Sequence, residues 1–237
     1  MICIACNTEY SSNFCPNCGE NSKIKKITFN SFIQDAFATI TNMDKGFLYN
    51  LKTLFINPKK IPTGYLLGKR KGILNPISFL IISISIYLIL ENLFKVPNEH
   101  VDTSFTRSPL FEKSREVGAA GGKIISAYFK YFWIFSVMLL ANTTKLIFGK
   151  YNYLEHVALS SFIIGQATLF AIIGFLIFKF PLIFDPLLYL SILYMIYFIF
   201  KQGKDKIDIL LLSITSLILF VIQIFLVITI IGLAMIY

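Results

Sequence analysis

The sequence predicts an all-α membrane protein: a five-helix transmembrane bundle, preceded by two short amphipathic helices and a small cysteine-rich module. Three observations carry that expectation. Hydrophobic residues make up 56% of the chain and charged residues only 15%, with a mean hydropathy of +0.69. Soluble domains sit near 45–50% and about 25%, so this much apolar surface could not be hidden from water in a chain of this size. Five long apolar stretches follow one another, over 73–94, 128–148, 157–178, 182–200 and 209–236. All four cysteines fall within the first eighteen residues, as two Cys-x-x-Cys pairs.

The chain divides accordingly into residues 1–22, a polar segment with the cysteines; 23–72, where apolar and charged residues alternate; and 73–237, the spans. A 22-residue helix over 73–94 or 157–178 is about 33 Å long, enough for a hydrocarbon core of about 30 Å. Asn142, Thr143, Thr144 and Lys145 sit near one end of the second span. Asp185-Pro186 interrupts the fourth. Lys179, Phe180 and Pro181 alone separate the third and fourth, which predicts a tight helical hairpin. Ser161, Gly165 and Thr168 on one face of the third span, with Ala167, Ala171 and Gly174 on another, allow close approach and predict a central position for it.

The net charge of +9 admits nucleic acid, anionic lipid or membrane topology as its reason. Position favours the last two and no nucleic-acid partner, because the basic residues cluster beside apolar spans. With the N-terminus inside, the inner segments hold fifteen lysines and arginines and the outer ones seven. That bias predicts a cytoplasmic N-terminus, an external 95–123 loop and an external C-terminus in an inner-membrane protein. No cleavable signal peptide is expected, since no apolar core follows Met1. No internal repeat of the kind that builds inverted-repeat transporters is visible.

Between the cysteines and the first span, two helical stripes are too short to cross. One runs through Ile27, Phe32, Ile33, Ala36, Phe37 and Ile40, and the other through Phe47, Leu48, Leu51, Leu54 and Phe55. Ser31 with Gln34 resembles a capping box, Asp44 suits an N-cap of the second helix, and Pro58 ends it. Their partner is either the membrane interface or the ends of the bundle.

Cys3-x-x-Cys6 and Cys15-x-x-Cys18 are the strongest chemical signal. Each pair can form a knuckle that presents two thiolates to adjacent corners of a tetrahedron, and two knuckles complete the four-thiolate shell that zinc prefers. Asn7 and Gly19, each just after a pair, tolerate the left-handed backbone that such a turn needs. The competing readings are two redox pairs or two disulfides. They are disfavoured because no thioredoxin-like pattern surrounds the cysteines and the cytosol disfavours disulfides. With four sulfurs bound, a structural Zn2+ would have no open position for water.

The basic group Lys59, Lys60, Lys69, Arg70 and Lys71 borders the first span. It either fixes topology or binds anionic headgroups of membrane lipids, and the two roles are compatible. Glu155 and His156 enter the third span. Adjacent helical residues diverge by about 100°, so they cannot jointly hold one ligand, and capping or interfacial hydrogen bonding is the commoner use. Gln166, Asp185 and Gln223 are single polar groups within spans. They either line a path or pair between helices. Gly118-Ala-Ala-Gly-Gly-Lys123 lacks P-loop spacing. The two histidines, His100 and His156, cannot form a metalloprotease pair, and no Gly-x-Ser-x-Gly elbow occurs. A non-enzymatic role is therefore expected.

Several segments together resemble an uncharacterised family of bacterial membrane proteins, a domain of unknown function with an N-terminal zinc ribbon and a multi-span body. They are Cys15-Pro-Asn-Cys18-Gly19-Glu20, the stretch from Asp44 to Lys52, Asn57-Pro58, the run from Gly64 to Arg70, Asn75-Pro76, and Tyr153-Leu-Glu-His156. The resemblance covers about residues 1–80 and 150–165 and implies no catalytic residues. The layout is also distantly similar to Yip1-type membrane proteins, at the level of fold alone. Two functions remain in view. One is a cytosolic zinc-ribbon platform that docks a protein partner or senses the membrane surface. The other is a small transporter or channel with a path between spans three, four and five.

Overall fold

Helix boundaries in this chain are set by a few asparagine, aspartate, proline and glycine residues. The computed structural model describes residues 2–20, 46–94, 128–201 and 205–236. Among the described residues there are seven α-helices: α1 Gly46–Ile56, α2 Lys60–Leu66, α3 Pro76–Leu93, α4 Phe129–Phe148, α5 Tyr153–Phe178, α6 Pro186–Phe200 and α7 Lys206–Ile236. A short 3-10 turn spans Leu182–Phe184, and the described residues hold no strand beyond an isolated Ile2–Glu9 bridge. The stripe from Ile27 to Ile40, the Ser31 and Asp44 caps and the 95–123 loop lie outside the described residues.

Four helices, α3, α4, α5 and α7, are long and apolar enough to cross a membrane. The fourth expected span is divided. Pro186 cannot continue a helix from the preceding turn, so Asp185 ends the 3-10 segment and its carboxylate accepts the Leu187 N–H to start α6. The helix that follows has 15 residues, about 22 Å. Asn75 caps α3 in the same way, accepting from the Ile77 N–H with Pro76 at the first helical position. Asn152 and Glu155 close a reciprocal capping box on α5. Gly149 ends α4 in the left-handed conformation, and Lys179 does so at the end of α5.

Helix α2 was not anticipated from the sequence, which reads Lys59 to Lys71 as a basic connector. Asn57-Pro58 does break α1 after Ile56. The chain then re-enters a helix because Pro62 falls in its first turn, where a missing N–H costs nothing.

Side-chain pairs fix the helix directions. Phe79 meets Phe162, and Tyr87 meets Phe175, so α3 runs parallel to α5. The Trp133 indole N–H donates to the Thr168 hydroxyl at 2.9 Å, and Thr144 pairs with His156 at 2.9 Å, so α4 runs antiparallel to it. Gly174 lies against Asp185 and His156 stacks on Phe200, which makes α6 antiparallel as well. Helix α5 therefore has α3, α4 and α6 around it, with 61% of its most apolar stretch buried against 17% for α7. The expected central position of this helix is found. Gly165 permits it, since a Cβ there would meet the Phe79 ring at 2.9 Å and the Leu80 Cα at 3.3 Å.

Helix α1 uses its apolar stripe on the bundle. Leu54 is buried, and Phe47 packs on Phe79 at 5.5 Å between ring centroids. Phe55 stacks on Phe170, and its backbone carbonyl accepts from the Tyr194 hydroxyl at 3.4 Å. Leu48, Phe55 and Ile56 keep much of their surface exposed.

Candidate metal centre and polar residues of the bundle

The two cysteine pairs fold into matching knuckles. In the first, the Asn7 N–H donates to the Cys3 carbonyl at 2.9 Å and the Cys3 N–H to the Thr8 carbonyl at 3.0 Å. In the second, Gly19 donates to Cys15 at 2.7 Å and Cys15 to Glu20 at 2.8 Å. Asn7 and Gly19 both hold positive φ, +60° and +71°, which turns each backbone round its sulfurs. These are the two positions that the sequence marks for that conformation.

The four sulfurs lie within 4.8 Å of one another. Cys3 and Cys18 approach at 3.5 Å, and so do Cys6 and Cys15. A disulfide needs about 2.05 Å, whereas a zinc tetrahedron with 2.3 Å bonds has edges of about 3.8 Å. The thiols are free and spaced for a metal. Their ionisation shows why a cation suits them. The Thr8 hydroxyl and backbone N–H pull the Cys6 thiol down to about 6. The Glu20 backbone favours the Cys18 thiolate, yet desolvation and the three neighbouring thiols push it up to about 12. A dication held among the four sulfurs would favour their thiolate forms.

This module rests on the basic segment. The Lys71 N–H donates to a Glu20 carboxylate oxygen at 3.3 Å, and a Cβ on Gly19 would lie 3.4 Å from the Lys71 ammonium. The other basic residues divide. Lys59 donates to the Lys201 carbonyl at 3.4 Å, and Arg70 lies over the Tyr65 ring at 5.5 Å, both turned toward protein. Lys60 and Lys71 are exposed, and Lys69 is half-buried.

The polar residues of the spans occupy separate neighbourhoods. Glu155 is engaged in its capping box. His156 is fully buried; its Nδ1 pairs with Thr144 and its ring lies 5.6 Å from that of Phe200. Gln166 lines a cavity facing α1, Asp185 sits at the start of α6 against Gly174, and Gln223 lies on α7 between buried Phe220 and Ile224. Sequence reasoning missed Asn50. It is fully buried and grips both backbone groups of Leu74, its Nδ2 donating to the carbonyl at 3.3 Å and its Oδ1 accepting the N–H at 3.4 Å. The available signal was an asparagine within the apolar stripe of Phe47, Leu51 and Leu54.

Residues 44–88 are similar to a family described as a protein of unknown function (DUF3667). The match covers α1, α2 and most of α3, and so is narrower than the segments named above. No curated protein and no solved structure matches the chain.

Proposed function

We propose that this chain is a non-enzymatic, multi-pass inner-membrane protein whose N-terminal ribbon, loaded with structural zinc, forms a cytoplasmic docking platform for a protein partner. The observation that carries the reading is the placement of the cysteine module on Lys71, a few residues ahead of α3. A metal-folded module held at the mouth of a helix bundle can transmit a partner's position to the spans. A shell of four thiolates leaves no open coordination site, which suits a scaffold better than catalysis.

In this reading the bundle has five spans. Helix α6 is short, but antiparallel packing sets its first residues beside Gly174 and its last beside His156, the depth range covered by the membrane portion of α5. The excess of lysine and arginine in the inner segments supports a cytoplasmic N-terminus and an external C-terminus. Exposed Lys60 and Lys71 would then meet anionic headgroups. The separate neighbourhoods of Gln166, Asp185 and Gln223 give a shared transport path little support, and Asp185 serves as the N-cap of α6.

The test is affinity capture from detergent-solubilised membranes, comparing the full chain with Cys15→Ser. A partner retained by the wild-type chain and lost from the zinc-free variant supports the platform. Identical partners on both, with the variant shown to lack zinc, would rule it out.

A further inference from the structure

Helix α4 uses two faces in different ways. Trp133, Leu140 and Thr144 are buried against the bundle. On the opposite face Phe135, Met138, Asn142 and Leu146 recur at steps of three, four and four, and all of them are exposed. Residues at such steps line one side of a helix and form the seam that left-handed helix pairs use. Asn142 is the polar member of this seam.

Its surroundings leave the amide unsatisfied. Among the described residues Asn142 makes no hydrogen bond. The exposed hydroxyls of Ser85, Thr215 and Thr229 differ, since each donates to the carbonyl one turn back in its own helix. Depth closes the route to water. Asn142 is the twelfth residue of the 18-residue apolar stretch Tyr131–Phe148. The Lys145 ammonium reaches the Gly149 and Tyr151 carbonyls, which marks the water-facing end of the helix. Asn142 lies seven residues before Gly149, about 10 Å, and its short side chain cannot follow. Acyl chains would offer it neither donor nor acceptor.

We propose that the exposed face of α4 pairs with the same face of a second copy of this chain, Asn142 hydrogen-bonding to its counterpart across a two-fold axis. Symmetry and chemistry together select this occupant. Two copies inserted in the same direction are related by an axis along the membrane normal, which brings every residue of α4 level with its own counterpart. An amide both donates and accepts, so two asparagines at one depth satisfy each other, whereas two ammoniums or two carboxylates would repel. Met138, one turn before Asn142, is flexible enough to fill the seam beside the pair. The inference rests on the long helices being membrane spans. It is independent of the ribbon and its metal.

Energy transfer between donor- and acceptor-tagged copies of the full chain, diluted stepwise with lipid in bilayers, tests it. The wild-type chain should show a dimer that dissociates on dilution. Asn142→Leu should weaken it by a factor of about 3 to 30, the scale of one interhelical polar pair, and Asn142→Gln should retain it. Both changes are at an exposed position, so the fold of each chain should persist. A benzophenone side chain placed at Phe135 should cross-link to a second copy in membranes, and one placed at exposed Leu226 of α7 should not. A monomeric wild-type chain, undiminished association in Asn142→Leu, or a cross-link from Phe135 to a different protein would overturn the pairing while leaving the membrane reading intact. Release of the chain from membranes by alkaline carbonate would overturn both.

Discussion

Asn50 and Leu74 are joined by two hydrogen bonds, amide to carbonyl at 3.3 Å and N–H to amide at 3.4 Å, so a single side chain substitutes for a backbone neighbour. Leu74 lies immediately before Asn75, the cap of α3, and Asn75 in turn donates to the Tyr65 hydroxyl at 3.4 Å. Helices α1, α2 and α3 are thus tied at one corner. The matched segment, 44–88, includes every residue of this corner.

Replacing Asn50 with Leu should therefore destabilise the chain. Two buried backbone groups of Leu74 would lose their partners, at about 1–3 kcal/mol each. Thermal unfolding in detergent should show a lower Tm, and trypsin should cut faster at Lys59 and Lys60 as the corner loosens. An unchanged Tm and cleavage rate would mean that the two bonds contribute nothing to holding α1 in place.

Gly174 gives a second, independent handle. A Cβ there would overlap the Asp185 carboxylate, so Gly174→Ala should cost about 1–3 kcal/mol through overpacking. Asp185→Ser shortens the side chain while keeping an N-cap acceptor. The double variant should be more stable than the sum of the two single losses, because the second change removes the clash of the first. Strict additivity would show that Gly174 and Asp185 are not in contact.

Much of this architecture is legible in the sequence because helices long and apolar enough to cross a membrane obey one rule. Backbone groups in hydrocarbon must bond within their own helix, so apolar length alone locates α3, α4, α5 and α7. The knuckles are legible too, since Asn7 and Gly19 follow their cysteine pairs at the position where the backbone must turn. What stayed hidden depends on tertiary contact. Nothing local says that Asn50 would reach Leu74 twenty-four residues away, or that His156 would turn inward to Thr144, whereas the capping role beside it, at Glu155, is the one the sequence favours. Helix α2 was obscured by Pro58, which ends α1 just before it, and Pro62 is tolerated because it occupies the first turn. The division at Asp185-Pro186 was legible as an interruption, and its 3-10 form was not.

Topology follows from the proposed orientation and can be read at two exposed turns. Lys150 joins α4 to α5 and Phe180 follows α5, on opposite ends of that helix. In intact spheroplasts, an impermeant maleimide should label Phe180→Cys and leave Lys150→Cys unlabelled until lysis. The reverse pattern would invert the bundle, and labelling at both or neither would mean that α5 does not cross.

The metal content of the purified chain tests the account most directly. Four sulfurs within 4.8 Å, free as thiols and enclosed by two knuckles, predict about one zinc per chain. Cys15→Ser should lose it and still partition into the membrane fraction, because the spans do not depend on the ribbon. Wild-type protein prepared without chelators and lacking zinc, or zinc retained after all four cysteines are changed to serine, would contradict the account.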